Sequence, residues 1–438
     1  MKKKQDISQK FPIYDKQSLS QTTFMINEFK PVINNRNFRF LWISQILSQL
    51  SINIMNFVFL IKLFEVTGSA ISTSLLWVAY SLPAILIGPF ASAIIDLTDK
   101  RKVLFITNFL QALTILLYAI FPHANIFILY EVVFIYSLLN QFYVPAEAAS
   151  LPSVLSKERL TQGNSLFFLT QQGSLILGFG VAGLIKHYLG FNNTLFVCSF
   201  FLFVAFISTI FLPKLTSGNK VPKQFEEAVT KFFRHIFEGY QFIKNERKVF
   251  TPVLMLICFQ VALQISIVEV PIIAKNLLSI PLNTAGIYLL VPAGIGAILG
   301  AMLLPKLIAR GWRKKRVIDN SLLIIGIIIL VFTFIIPTLP YYFRVILSFL
   351  SIMLLGLSFF GVIIPSQTYL QEWTPKELRG RVFGNFWFLV AVLSVVPVVF
   401  AGSIVEILGV RFFLFLISSV AISIYIVSKK YGDRFLSG

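Results

Sequence analysis

Long apolar runs separated by short polar connections fill most of the chain. Each run is roughly 20 to 27 residues long and contains no more than two charged side chains. A helix needs about 20 residues to cross the hydrocarbon core of a bilayer, because each residue advances it by about 1.5 Å. The pattern therefore predicts an all-α integral membrane protein with twelve transmembrane helices. The runs are 38–64, 71–95, 102–121, 125–149, 162–188, 191–212, 249–275, 283–309, 316–336, 341–366, 380–405 and 409–428.

The polar segments between these runs divide the chain into five predicted parts. They are a tail over 1–37, an N-terminal half with six spans over 38–212, a linker over 213–248, a C-terminal half with six spans over 249–428, and a second tail over 429–438. Within the linker, apolar side chains recur every three or four residues from Phe225 to Ile243. That spacing predicts an amphipathic helix lying at the membrane surface.

Basic residues are distributed unevenly across the predicted membrane. The chain has 38 Lys and Arg against 19 Asp and Glu, and all but five of the basic residues fall on the side that holds both chain ends. The five exceptions are Lys62, Lys186, Lys275, Arg344 and Arg411. Since loops rich in Lys and Arg stay in the cytoplasm, we expect both termini to be cytoplasmic, in a bacterial-type inner membrane. The positive charge then orients the protein in the lipid bilayer, and we expect no nucleic-acid partner.

The residue patterns typical of metal, nucleotide and catalytic sites are missing from the sequence. Its two cysteines, Cys198 and Cys258, stand alone in different spans, and its three histidines are scattered. The sequence contains no G-x-x-x-x-G-K-[S/T] motif, which would bind nucleotide phosphates. We therefore expect no metal, no cofactor and no enzymatic activity.

The two halves of the chain repeat one another. The stretch VPAEAASLPSVLSKERLTQGNSLF at 144–167 is similar to IPSQTYLQEWTPKELRGRVFGNFWF at 364–388. The stretch AGLIKHYLG at 182–190 matches AGSIVEILG at 401–409, at a separation of 219 residues. Parallel repeats with a binding site between them are typical of secondary transporters.

Four stretches of the chain carry a pattern that extends beyond the repeat. They are NFRFLWISQILSQLSINI, TGSAISTSLLWVAYSLPAILIGPFASAIIDLTDKRKVL, VPAEAASLPSVLSKERLTQGNSL and TPKELRGRVFG. Through them the chain resembles the major facilitator superfamily over about 36–428, and within it the macrolide-efflux and siderophore-exporter branch. The resemblance implies the major facilitator fold, with two homologous six-helix halves in a monomer. It also implies alternating access to a central cavity that binds a small-molecule substrate.

The stretch IDLTDKRKV at 95–103 is densely charged for so apolar a chain. It is similar to a family loop that reads roughly G-x-x-x-D-R-x-x-R-R, although Leu97 stands where Arg is usual. In the family this loop holds the two halves together on the cytoplasmic side. The resemblance therefore assigns a cytoplasmic gate to four residues, with the alternative that their charges only set the topology. They are Asp96, Lys100, Arg101 and Glu147.

Amide side chains within two spans are candidates for the substrate cavity. Polar groups inside a span usually face a cavity or a neighbouring helix, and the superfamily lines its cavity with spans one, four, seven and ten. In the first span the amides recur at spacings of four, four and three residues, which places them on one helical face. Hydrogen bonding between helices is the alternative. The candidates are Gln45, Gln49, Asn53, Asn56, Gln260 and Gln264.

Two carboxyl groups, Glu131 in span four and Glu269 in span seven, are predicted to lie in the outer half of this cavity. A carboxyl group held away from water takes up a proton more readily. We therefore predict coupling to protons through Glu131 first and Glu269 second, with a Glu269–Lys275 ion pair as the alternative. The favoured function is export of amphiphilic small molecules, such as drugs, macrolides or siderophores, by proton antiport. The alternatives are a lysophospholipid or nutrient transporter of the same fold and a membrane sensor without transport.

Overall fold

The computed structural model describes residues 29–121, 125–215, 225–375 and 378–436, and all regular structure among them is helical. Eleven of the described helices are long and apolar enough to cross a membrane. The predicted all-α membrane fold is therefore confirmed.

The second crossing along the chain is divided into two shorter helices, Ala70–Leu86 and Gly88–Leu97. The break falls at Gly88-Pro89, where proline supplies no backbone N–H to continue the hydrogen-bonding pattern. Counted with the eleven longer helices, this divided crossing is consistent with the twelve predicted spans.

Fourteen longer helices follow one another from Arg36 to Leu436, and short turns interrupt the chain before α10 and after α9 and α11. The helices are α1 Arg36–Thr67, α2 Ala70–Leu86, α3 Gly88–Leu97, α4 Lys100–Ile120, α5 Phe127–Val154, α6 Leu160–Leu189, α7 Phe191–Ile210, α8 Phe225–Asn245, α9 Arg247–Val268, α10 Val291–Ala309, α11 Lys314–Leu330, α12 Tyr341–Trp373, α13 Arg379–Leu408 and α14 Val410–Leu436.

Two faces of this bundle are used as reference below. The basic face is the one at which α1 begins, and the opposite face is the one at which α1 ends. Glycine ends a helix at three places on the opposite face: Gly68 after α1, Gly190 after α6 and Gly409 after α13, with φ angles of 64°, 83° and 85°. Glycine adopts positive φ without a steric penalty. The last two are equivalent positions of the sequence repeat, so the two halves end the same crossing in the same way.

The apolar core is continuous at the opposite face and divided at the basic face. One large buried cluster joins α1, α2, α5 and α6 to residues of α9, α12 and α13. Near the basic face, one cluster lies within the first half, around Leu104 and Tyr143, and another lies in the second half, around Val253 and Phe386. Among the described residues, the apolar cores of the halves are therefore joined at the opposite face and separate toward the basic face, where the linker helix α8 contacts α3 of the first half and α13 of the second.

Candidate functional site

The seam between the halves is formed by two equivalent pairs of crossings. α2 packs against α13, and α6 packs against the turns Leu282–Thr284 and Gly286–Leu290 and against α10. A third contact joins α1 to the short turn Val270–Ile272 that follows α9. These contacts form the interface between the two halves.

Two glycines of the repeat allow the helices to approach closely at this seam. A Cβ atom at Gly402 would collide with Ser74 and would lie 2.8 Å from the carbonyl oxygen of Ala70 in α2. A Cβ atom at Gly183 would collide with the backbone of Asn283. The Ala-Gly pairs that the sequence comparison aligned at 182–183 and 401–402 thus occupy the same position on each side of the seam.

Polar contacts close the seam next to these glycines. The Ser69 hydroxyl donates a hydrogen bond to Glu406 Oε2 at 2.6 Å, and the Ile71 N–H donates to the same oxygen at 3.1 Å. On the other side of the seam, Asn283 Nδ2 lies 3.1 Å from His187 Nδ1. All of these residues lie at the opposite face, where the chain passes from one crossing to the next.

A further hydrogen bond crosses the seam deeper in the bundle. Trp77 Nε1 in α2 donates to Gln264 Oε1 in α9 at 3.1 Å. Both side chains are half-buried. The predicted cavity residue Gln264 therefore bonds to the other half in this arrangement.

A narrow pocket lies beneath the closed seam, lined by side chains from both halves. Asn56, Trp77, Tyr80, Phe179 and Val268 contribute to its wall. Its volume is about 10 Å³, which is room for about one water molecule. The pocket is therefore too small for a substrate in this arrangement.

Glu269 is the buried carboxyl group nearest to this pocket in the sequence. It directly follows the pocket residues Ile267 and Val268, at the point where α9 ends and a short turn begins. Its side chain is 2% exposed, and neither carboxylate oxygen has a hydrogen-bond partner among the described residues. The suggested ion pair with Lys275 is not formed, because the Lys275 ammonium group lies over the Phe64 ring at 5.7 Å. An isolated ionised carboxylate is costly at such a position.

Glu131 does not lie in the space between the halves, contrary to the sequence expectation. Its side chain is exposed, as are those of Phe127 and Ile135, one turn before and one turn after it in α5. Val133, which lines the pocket, lies two residues further on and therefore about 200° around the helix. The face that carries Glu131 is thus turned away from the seam.

The amide side chains of α1 have several different surroundings. Asn56 lines the pocket, and Gln49 is half-buried. Gln45 Nε2 donates to the carbonyl oxygen of Phe167 in α6, and Asn53 is packed against Gly178 of the same helix. The amide stripe therefore faces both the pocket and a neighbouring helix of the same half. Gln260 in α9 is half-buried.

The charged loop at the basic face bonds to the end of the first half and to the start of the linker. Asp99 caps α4, accepting hydrogen bonds from the N–H groups of Arg101 and Leu215. The Arg101 guanidinium donates to the carbonyl oxygen of Ile210, at the end of α7. Lys100 is buried, and its backbone N–H donates to Leu215. The loop thus fastens the end of the sixth crossing. The backbone of Asp96 lies in α3, but its side chain lies outside the described part of the structure.

Glu147 belongs to a buried polar network rather than to a contact between the halves. Its carboxylate accepts a hydrogen bond from the Tyr143 hydroxyl at 2.8 Å. Tyr143 is bonded in turn to Ser44 and Ser48 of α1, each at 3.1 Å, and Asn108 Nδ2 donates to Ser44 at 3.0 Å. The network joins α1, α4 and α5, so its evident role is to hold three helices of the first half together.

A helical membrane protein with two equivalent halves, a seam of paired helices and a buried pocket between them has the architecture of a secondary transporter. The family model for the Major Facilitator Superfamily matches residues 41–398. The chain therefore belongs to the major facilitator superfamily and is a transporter of that family.

Several relatives share this family at low identity. The MFS-type transporter YfiS of Bacillus subtilis is 23% identical over 355 residues, which cover 79% of this chain and 81% of the relative. Macrolide efflux protein A of Streptococcus pyogenes is 22% identical over 91% of this chain and 97% of the relative. The multidrug efflux pump Tap of Mycolicibacterium fortuitum is 24% identical over 78% of this chain and 83% of the relative.

Solved structures show the same fold. A bacterial homologue of the human lysosomal transporter Spinster, in an inward-facing and unoccupied conformation, matches with a TM-score of 0.72 at 11% identity, over 92% of this chain and 98% of that one. The nucleoside transporter NupG matches with a TM-score of 0.68 at 15% identity, over 89% of this chain and 98% of that one. At these identities the likeness concerns the fold alone.

Four residues that join the halves were not predicted from the sequence: Trp77, His187, Asn283 and Glu406. The repeat could have indicated two of them, because His187 and Glu406 occupy equivalent positions of the repeated stretches at 182–190 and 401–409. Trp77 carried no comparable signal, because one aromatic residue in an apolar span is ordinary.

Proposed function

We propose that this transporter exports amphiphilic small molecules by proton antiport, and that Glu269 is the carboxyl group that carries the proton. The observation that supports this most strongly is the burial of Glu269 without a hydrogen-bond partner among the described residues. A carboxyl group in such surroundings is stable when it is neutral, and its ionised form requires water or a cation. A change in access to water would therefore bind or release a proton at this position.

The proposed cycle alternates access between the two faces. By the positive-inside rule the basic face is cytoplasmic, with both chain ends on that side. In the arrangement described, the seam is closed at the opposite face and the cores of the halves are separate at the basic face. Substrate enters from the cytoplasmic side, and the halves tilt to open the opposite face. There Glu269 takes up a proton as the substrate leaves, and after the return it releases that proton to the cytoplasm.

The surroundings of the pocket support an amphiphilic substrate. Aromatic rings of Trp77, Tyr80 and Phe179 offer apolar contact, while the amides of Asn56 and Gln264 can hydrogen-bond polar groups. Ligand sites of this kind combine an apolar lining with a few polar groups that fix orientation. Two relatives are named as a macrolide efflux protein and a multidrug efflux pump, which agrees with export of such compounds.

The proposal reverses the order of the two carboxyl groups that the sequence favoured. Glu131 lies on an exposed helical face, whereas Glu269 is buried and directly follows the pocket residue Val268 in the sequence. Of the amide candidates, Asn56 and Gln264 are best placed to meet a substrate. We propose that the transporter works as a monomer in a bacterial-type cytoplasmic membrane, since each polypeptide contains both halves of the seam.

Efflux of a fluorescent amphiphile such as ethidium from loaded cells, under an inward proton gradient, tests this function. Glu269→Gln preserves the shape of the side chain but cannot exchange a proton, so we expect it to abolish gradient-driven efflux at equal expression. Glu131→Gln is the matched control and should retain efflux. Unchanged efflux by Glu269→Gln would remove this carboxyl group from the mechanism. No efflux by the native protein would rule out export of this class of compound.

A further inference from the structure

At the opposite face, the two halves meet through a pair of equivalent polar contacts. His187 and Glu406 occupy the same position of the repeat, and each reaches the start of a crossing in the other half. His187 contacts Asn283. With the histidine in its neutral form, neither side chain of this contact carries a charge. Glu406 meets Ser69 and Ile71. The second contact differs from the first because it brings a carboxylate to the N-terminus of a helix.

Ser69 is the N-cap of α2, so Glu406 binds groups that α2 leaves without partners of its own. The first N–H groups of a helix have no acceptor within it, and their positive end attracts a negative charge. Glu406 accepts from the Ile71 N–H at 3.1 Å and from the Ser69 hydroxyl at 2.6 Å. A carboxylate of α13 thus caps α2, which belongs to the other half of the protein.

From this geometry we propose that Glu406 is a latch that holds the opposite face closed, by capping α2 only while the two halves are together. The inference rests on alternating access, which forms part of the proposed function. When the halves separate at this face, α2 loses its external cap and Glu406 loses both donors. The latch therefore stabilises the closed arrangement specifically, while a contact within one half would stabilise both arrangements equally.

The ion pair between Lys186 and Glu65 provides a matched control. It lies at the same face and joins α6 to α1, so both partners belong to the first half. Its carboxyl group, like that of Glu406, is exposed. Removal of Glu65 should therefore leave the balance between the open and closed arrangements unchanged.

The distance between spin labels on the two halves measures this balance without substrate or a proton gradient. Labels on cysteines at Phe121 and Tyr342, which are exposed at the opposite face in different halves, report its opening. The exposed Cys258 is replaced by serine, and Cys198 is buried. Loss of a helix cap costs about 1 kcal/mol, which is about fivefold in a population ratio. We expect Glu406→Ala to raise the ratio of long to short distances about fivefold, and Glu65→Ala to leave it at the native value.

A second variant separates a latch from a residue that only stabilises α2. Ser69 already accepts a hydrogen bond from the Ser72 N–H within its own half. Ser69→Asp, added to Glu406→Ala, keeps this cap and returns a negative charge to the N-terminus of α2 from the same half. A latch predicts that the open population stays raised, because the contact between the halves is still missing. Restoration of the native ratio would overturn the proposal, and so would a native ratio in Glu406→Ala alone. Since the labels report closure only, a protein that exports nothing would still give a clear result.

Discussion

Gly402 provides a sharp test of the seam, because a single methyl group there should disfavour closure. In Gly402→Ala, the new Cβ atom would lie 2.8 Å from the carbonyl oxygen of Ala70, about 0.6 Å short of the 3.4 Å at which ordinary contact begins. It would also collide with the Ser74 hydroxyl, which can rotate, whereas the Ala70 backbone cannot. Helices α2 and α13 would therefore have to separate slightly in the closed arrangement.

The magnitude follows from the cost of overpacking. Extra atoms in a well-packed interface typically cost about 1–3 kcal/mol, and this penalty applies only while the seam is closed. A bias of that size corresponds to a change of roughly 5- to 150-fold in the equilibrium between two arrangements. Gly384→Ala is the matched control, since Gly384 lies in the same helix and a Cβ atom there would meet nothing within 4 Å. Both variants gain the same helix propensity from alanine.

The assay is the rate at which a membrane-impermeant thiol reagent, added at the opposite face, modifies a cysteine placed at Thr73. Thr73 lines the pocket beneath the seam and is 2% exposed, so it should react only when the seam opens. We expect Gly402→Ala to increase this rate at least fivefold and Gly384→Ala to leave it unchanged. Equal rates in both variants would show that the glycine contact does not control closure, and the reasoning about the seam would be refuted.

Two further predictions concern the stability of the fold. Gly409→Ala forces alanine to adopt a φ of 85°, so it should lower the free energy of unfolding by about 1–2 kcal/mol, measured by thermal unfolding in detergent. Gly173→Ala is the control, because this glycine lies in the middle of α6 with open space around it, and it should not lower the free energy of unfolding. Equal effects of the two changes would contradict the account. Tyr143→Phe removes the donor to the buried Glu147 carboxylate and should lower the free energy of unfolding by about 1–3 kcal/mol. Glu147→Gln combined with Tyr143→Phe should lower it by less than the sum of the two single changes. Additive effects would show that the two side chains act independently.

The fold was largely predictable from the sequence, because the bilayer imposes a length and a composition on each span. The repeat also predicted more than the division into halves. The Ala-Gly pairs at 182–183 and 401–402 proved to be equivalent close contacts, and the glycines at 190 and 409 end equivalent helices. The division of the second crossing into two helices was not predicted, although Gly88-Pro89 in the sequence is a signal for such a break.

The candidate site was less predictable, because helical spacing places residues on one face without showing what that face meets. The amide stripe of α1 illustrates this, since Gln45 bonds to α6 whereas Asn56 lines the pocket. Glu131 and Glu269 looked alike in the sequence, and only the packing around them separates an exposed carboxyl group from a buried one. Arg101 was similarly assigned to a gate, although its guanidinium contacts a carbonyl oxygen of its own half.

Proton release on substrate binding tests the role of Glu269 most directly. The purified protein is mixed in weakly buffered solution with a compound that it exports, and a pH-sensitive dye records the protons released. If Glu269 exchanges its proton for the substrate, the native protein should release about one proton per bound molecule, and Glu269→Gln should bind the compound without releasing any. Equal proton release by the native protein and by Glu269→Gln would contradict the account and assign the coupling to another group.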